Sequence, residues 1–420
     1  MIKFSLAIAL IFFLIFDSSA QKTKEEFYNS LLGKDSLVDL VLKNRDKYRL
    51  QFIVTDIQRD QDGEEEFKTY DFTTNEYFYP ASMVKLPTAV AMFEILDSLD
   101  LSRDSYVKMN KDFNCGGSGF VDLTLKRNIP ISLAIEDMLS ISDNAYYSLF
   151  FNVVTPKLLN YKLSERQLSK TSIYGGFTGC PRGKLLETHS YSIFSPDGSL
   201  KLSNPKSELD SSEFMYRLPF TSRKLIGKYQ IENGKKVEKP YDFNSFLDYP
   251  LTDIHQTIFR LVFPQKVSSK ERFQISFDSR KYLLKCMGNY PREMKNKAYN
   301  DKNLYPDNYY KYSIIGNKPE LASSGRYRIF SKIGIAYGFV TESAYIVDFE
   351  NQKDFLFSVS IYVNDDDVIN DNVYEYNKIA RPFIANFTRL IQESLSKTSS
   401  EQSLSSYDYF NFLKEIMSGN

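Results

Sequence analysis

Histidine is nearly missing from this chain: of 420 residues only His189 and His255 are imidazoles. A multi-histidine metal site is thereby excluded, and no metal is expected. A triad built on an imidazole base has only those two positions to draw on. Cysteine is scarce too. Cys115, Cys180 and Cys286 are too few for a disulfide-framework protein, and their surroundings share no metal-ligand spacing. Net charge is absent, since 53 Lys and Arg balance 53 Asp and Glu. Binding to a nucleic-acid backbone needs clustered positive charge, so no nucleic-acid partner is expected. Several motifs are missing as well: His-Glu-x-x-His, Cys-x-x-Cys and Gly-x-Ser-x-Gly do not occur. The cluster Gly116-Gly117-Ser118-Gly119 is not followed by Gly-Lys-Ser/Thr, so it reads as a turn and not as a phosphate cradle. No other cofactor motif is visible, and none is expected.

What is present is an ordinary globular composition, 42% hydrophobic and 25% charged. Lys3, the apolar run Phe4 to Phe16, and the small residues Ser18 and Ala20 form a secretory signal-peptide pattern over residues 1–20. The apolar run is shorter than the ~20 residues of a membrane span. The mature chain is expected to begin at Gln21, in the periplasm or outside the cell, with no stable membrane insertion. In that oxidising compartment an odd cysteine count leaves at least one thiol without a partner in the chain. Small buried residues are favoured over a Cys115–Cys180 bridge.

Along the chain, Leu50 to Ile57 and Glu66 to Phe72 read as a hairpin with Asp62-Gly63 at its turn. Helices are expected from Pro80 to about Leu99, Ile131 to Ser140, Ala145 to Val153, from the cap Thr252-Asp253 to Pro264, and Asp278 to Met287. Tyr327 to Ile335, Ser343 to Phe349 and Phe355 to Val363 are three strand-like runs, and Lys378 to Ser394 is an amphipathic helix. One domain over 21–395 is expected, with an insertion near 175–250, followed by a C-terminal tail at 396–420 in which Tyr407 to Met417 can add a last helix. The fold class is α/β of the α+β type. Its simplest closure puts all these strands in one antiparallel sheet flanked by helices, with the central helices as a separate lobe.

Three short motifs carry the chemistry. Ser82-Met83-Val84-Lys85 lies where the chain enters a helix, so Ser82 and Lys85 share a face near the positive end of the helix dipole. A serine is a poor nucleophile without a base in reach, and a desolvated lysine is such a base. Ser142-Asp143-Asn144 lies between two helices and also suits an N-cap. Lys332-Ile333-Gly334 lies on a strand, where a mid-strand lysine is unusual and a glycine permits close approach of another backbone.

In this order the motifs resemble those of the penicillin-recognising serine hydrolases, in particular the class A β-lactamase-like branch. The resemblance spans roughly 40–395 and implies a β-lactamase/transpeptidase-like fold and the following roles. Ser82 attacks an amide carbonyl and is acylated. Lys85 activates Ser82. Ser142 relays a proton to the leaving nitrogen. Asn144 contacts the substrate amide and Lys85. Lys332 binds a substrate carboxylate and helps keep Lys85 neutral. Gly334 allows the close approach, and Ile335 with Ser82 supplies backbone N–H groups to the oxyanion.

Two departures stand out. Ile333 occupies the place of a Thr or Ser, which removes a hydrogen-bond donor to a carboxylate at ~1–3 kcal/mol. A water-activating Glu followed by an Asn is missing: Glu165 and Glu187 are followed at that spacing by Ser169 and Tyr191. A long-lived acyl-enzyme is therefore expected. The substrate is a small-molecule β-lactam, or a cell-wall peptide if the chain is a D,D-peptidase. The third reading is a binding or sensor protein that never turns over.

Overall fold

Apolar and β-branched residues at alternate positions build the central sheet of the computed structural model. It describes residues 22–59, 64–110, 128–175, 187–205, 207–208, 224–243, 247–351, 353–395, 413 and 415–416. Residues 1–20, expected as a signal peptide, the glycine cluster, Cys115, Cys180, the expected Asp62-Gly63 turn and most of the tail lie outside the described residues.

The sheet consists of β1 (Gln51–Arg59), β2 (Glu65–Asp71), β3 (Tyr327–Ala336), β4 (Phe339–Asp348) and β5 (Lys353–Tyr362), in the order β3-β4-β5-β1-β2. Every pairing is antiparallel, with Val54 opposite Phe357 and Lys332 opposite Ser343. The first and last segments of the chain therefore meet in one sheet, and the expected closure is borne out. Period-two alternation divides the strand residues between two cores. On β3, Tyr327, Ile329 and Ile333 enter one core, and Phe330 enters the other. The first core lies beneath the helices Ser36–Lys43 and α6 (Arg381–Ser394). The second lies between the sheet and the helical lobe.

That lobe contains α1 (Lys85–Ser98), α2 (Ile131–Ser140), α3 (Asn144–Val154) and α5 (Phe277–Gly288). The helix α4 (Leu251–Val262) packs directly on β1, β4 and β5. His255 of α4 is buried between Thr55 Oγ1 at 2.9 Å and Ser358 Oγ at 2.8 Å. Burial pushes its imidazole down to about 4, so it is a neutral core group.

Several details differ from the sequence reading. The stretch from Pro80 opens as a 3-10 turn over Ala81–Val84, and the α-helix begins only at Lys85. Pro87 thus falls in the first α-turn, where its missing N–H costs little, and the helix runs on to Ser98. The helix α4 starts at Leu251, one residue before the expected cap. Asp253 is buried and accepts a 2.7 Å hydrogen bond from Thr171 Oγ1. The helix Pro156–Glu165 was not anticipated, although Thr155 caps it and Pro156 opens it. The described part of 175–250 forms short strands. Tyr191–Phe194 pairs with Tyr106–Met109 and Leu200–Asn204, and Tyr229–Glu232 pairs with Val368–Ile369. In the tail, Leu413 and Ile416 are buried in the helical-lobe core. Cys286 is a buried free thiol.

Candidate active site

Ser82 stands in the 3-10 turn at the entrance to α1, between the buried residues Ala81 and Met83. The turn is closed by a 3.0 Å bond from Met83 N to the Pro80 carbonyl. Ala81 adopts φ +46°, a left-handed conformation that costs a non-glycine residue ~1–2 kcal/mol. The turn packs on β3 at Gly334. A Cβ there would collide with the Pro80 carbonyl and stand 3.0 Å from Ser82 N. Close approach at the third motif is thus what its glycine permits.

Ser142 follows the end of α2, where the amides of Ile141 and Asp143 both donate to the Asp137 carbonyl. Its φ of +64° makes it a second strained residue at the site. Asp143 then caps α3 through Tyr146 N at 2.9 Å. The cap expected of this motif is present.

The three motifs converge through their side chains. Lys85 is fully buried and donates to Ser142 Oγ at 3.0 Å, to the Ser142 carbonyl at 2.5 Å and to Asn144 Oδ1 at 2.6 Å. Lys332, 1% exposed, donates to the same Ser142 Oγ at 3.0 Å and to its neighbour's carbonyl, Ile333 O, at 2.9 Å. A hydroxyl oxygen has two lone pairs. With both occupied by amines, the Ser142 proton is left to be donated elsewhere. No hydrogen bond of Ser82 Oγ is present among the described residues, so the direct Lys85–Ser82 bond that a base requires is not formed in this structure.

Two amines sharing one acceptor in a dry interior do not both stay charged. Burial drives Lys85 down to about 7, with the Asp143 carboxylate pulling the other way. Burial also pushes Lys332 well below the usual lysine range. The positive charges of Lys85 and Lys311 add to this, and Glu342 opposes it. Lys311 is itself a buried amine, 3.0 Å from the Ile329 carbonyl and held down to about 7 by burial.

Above this cluster lies a cleft of about 460 Å³. Ser82, Asn144 and Ile335 line it, together with Ala81 and Ala336. Its remaining walls are Tyr79, Tyr337, Tyr374, Tyr376, Asn370 and Asn372. Tyr79 meets Tyr337 edge-on at 5.3 Å, and the rings of Tyr374 and Tyr376 are 5.2 Å apart. The Tyr376 hydroxyl accepts from Gly338 N at 2.8 Å, and the Tyr374 hydroxyl from Asn370 N at 2.8 Å. Sequence reasoning missed all four tyrosines. Tyr79 was accessible from its place before Pro80, and Tyr337 from its place after Ile335. Nothing local pointed to 374–376.

Other residues singled out from sequence fall elsewhere. Ile333 is 1% exposed and packs in the core on the opposite face of the sheet from Phe330, because adjacent strand residues point to opposite faces. It does not occupy a donor position in the cleft. Glu165 is exposed at the end of its helix. Glu187 is described only as part of a two-residue strand, and its side chain lies outside the described residues. His189 is buried, with its backbone N–H donating to Asn152 Oδ1 at 2.6 Å. Among the described residues no group of three or more His, Cys, Asp or Glu is arranged to hold a metal ion.

Residues 34–202 match the family model described as the β-lactamase enzyme family. The resemblance seen in the motifs is borne out over that stretch, which contains Ser82, Lys85, Ser142 and Asn144 but not Lys332. No curated protein matches. Among solved structures, the chain is similar to the TLA-1 extended-spectrum β-lactamase at 16% identity. That match covers 86% of this chain and 99% of the other, with a TM-score of 0.45. It is similar to a β-lactamase from Sphaerobacter thermophilus at 13% identity, covering 87% and 97%, with a TM-score of 0.45. A class A β-lactamase representative from Bacteroides cellulosilyticus gives 10% identity, covering 89% and 98%, with a TM-score of 0.45.

Proposed function

We propose that this chain, similar over residues 34–202 to the β-lactamase enzyme family, is an exported serine hydrolase that cleaves an amide of β-lactam type through an acyl-enzyme at Ser82. The observation that carries this reading is the fully buried Lys85, held near pH 7 and hydrogen-bonded to Ser142 and Asn144 beside a cleft lined by Ser82. In its neutral form Lys85 keeps two N–H bonds, for the Ser142 carbonyl and Asn144 Oδ1, and a lone pair free of the Ser142 Oγ contact, the form a base needs. Lys85 takes the Ser82 proton as Oγ bonds to the carbonyl carbon. The oxyanion is met by the backbone N–H groups of Ser82 and Ile335. The C–N bond then breaks, and Ser142 passes its proton to the leaving nitrogen while recovering one from Lys85. Lys332 acts on this relay as a positioning residue, holding Ser142 Oγ and disfavouring a second charge on Lys85.

Acyl-enzyme hydrolysis needs a second base, and no carboxylate is among the described residues that line the cleft. This favours slow release, as in a D,D-peptidase of the penicillin-binding type or a protein that binds without turnover. Among the described residues no helix is long and apolar enough to cross a membrane. The test is intact mass after brief and prolonged exposure to benzylpenicillin or to its methyl ester. A Ser82-dependent adduct with either compound supports the reading. No adduct with either, or one that persists in Ser82→Ala, refutes it.

A further inference from the structure

The resemblance assigns Lys332 to a substrate carboxylate, yet in this fold its amine is turned to other partners. Lys332 is 1% exposed, is not among the lining residues of the cleft, and donates to Ser142 Oγ and to the Ile333 carbonyl. The adjacent Ile333 lies in the core on the sheet's other side. None of the described residues lining the cleft bears a charge.

The surroundings of the rim add charge of the wrong sign for an anion. From Asn364 to Asn377 the sequence holds Asp365, Asp366, Asp367, Asp371 and Glu375, with no Lys or Arg. Lys47 pairs with Asp365 at 3.0 Å and the charge of Lys228 faces Asp367, which leaves Asp366, Asp371 and Glu375 against Lys378 just beyond the segment. The segment is fixed against the cleft because Tyr376 accepts from Gly338 N, and within it Tyr374 accepts from Asn370 N. Burial, with the charges of Asp371 and Asp366 in support, pushes the Tyr374 phenol up to about 12, so it stays neutral. A carboxylate entering here gives up its hydration and meets no cation among the described residues that line the walls. Tyrosine rings, by contrast, offer apolar faces and edges suited to another ring.

We infer that the cleft accepts an acyl donor that carries an aryl group and lacks a carboxylate beside the scissile bond, a neutral ester or amide. This rests on the reading of Ser82 as the acylated nucleophile, and it narrows the substrate class of that site. Carboxylate-bearing lactams are then poor ligands of a competent nucleophile.

The test compares compounds that differ in one group. Benzylpenicillin and its methyl ester share everything but the carboxylate charge. The second-order rate of Ser82 adduct formation, followed by intact mass, is expected to be about tenfold or more higher for the ester. Replacing the phenylacetyl side chain of the ester by acetyl is expected to lower the rate about fivefold or more. Ala336→Lys, which adds a cation to the wall, is expected to narrow the ester-to-acid ratio by roughly three- to tenfold. An acid that reacts as fast as the ester overturns the inference while leaving Ser82 acylation standing. Equal rates for the phenylacetyl and acetyl esters overturn its aryl half, and a ratio unmoved by Ala336→Lys overturns its electrostatic basis. No Ser82-dependent adduct with any of the compounds removes the acylation reading and this inference with it.

Discussion

The substitution Asp143→Asn isolates the electrostatics of the base. Lys85 is held near 7 by burial, and the Asp143 carboxylate opposes that shift. At pH 7 about half of the Lys85 amines are then neutral. A lysine at its ordinary 10.5 is neutral in roughly one molecule in three thousand, so burial raises the supply of base about a thousandfold. The acylation rate of the wild type should therefore climb about tenfold per pH unit below 7 and level off above it. Removing the carboxylate takes away a charge that favours the ammonium form. A unit charge a few ångströms beyond contact is worth ~0.5–1.5 kcal/mol, which moves the midpoint toward acid by ~0.3–1 pH unit. Asparagine also caps helices well, so α3 should keep the bond from Tyr146 N that Asp143 now accepts. The assay is the rate of adduct formation between pH 5 and 10 with a neutral ester probe, whose own charge does not change. An alkaline shift in Asp143→Asn, a flat wild-type profile, or a midpoint near 10 would refute Lys85 as the base.

Four further outcomes follow from the geometry. Gly334→Ala should reduce acylation by about a hundredfold or more and destabilise the fold by ~1–3 kcal/mol, measured by labelling and by denaturant unfolding, because its Cβ has no room beneath the Pro80 carbonyl. Ile333→Thr should cost ~1–2 kcal/mol by denaturant titration and leave the ester-to-acid ratio unchanged, because it places a hydroxyl in an apolar core. His255 has its pKa depressed from 6.5 to about 4 by burial, so the unfolded chain binds the extra proton between those values. Stability should fall by up to ~3 kcal/mol as pH drops from 6.5 to 4, and His255→Gln should flatten that slope in unfolding curves. Glu165→Gln should leave the lifetime of the adduct unchanged in a mass time course, since Glu165 is exposed at a helix end.

How much of this was legible follows residue by residue. The sheet was readable because its strands carry strong period-two patterns, and the pairing of 50–72 with 327–363 followed from the need to bury both sets in one core. Ser82, Lys85, Ser142, Asn144, Lys332 and Gly334 were singled out because the three motifs in this order resemble those of the penicillin-recognising serine hydrolases, while local geometry supplied only a turn into a helix, a cap, and a glycine on a strand. Those are interactions between near neighbours, and the residue types alone determine them. Whether a lysine is a base or a surface charge depends instead on how much water remains around it. Only the packing of α1 against α2, α3 and β3 decides that for Lys85, and it also turns the Lys332 amine to Ser142. The tyrosine walls are likewise beyond the reach of local reading. Tyr79, Tyr337 and Tyr376 are brought together by contacts spanning nearly three hundred residues, and no short-range preference encodes which distant ring will face a cleft. The motifs determined which atoms are available for chemistry, and the tertiary fold decided their protonation and the polarity of the space above them, because burial is a property of the whole packed chain.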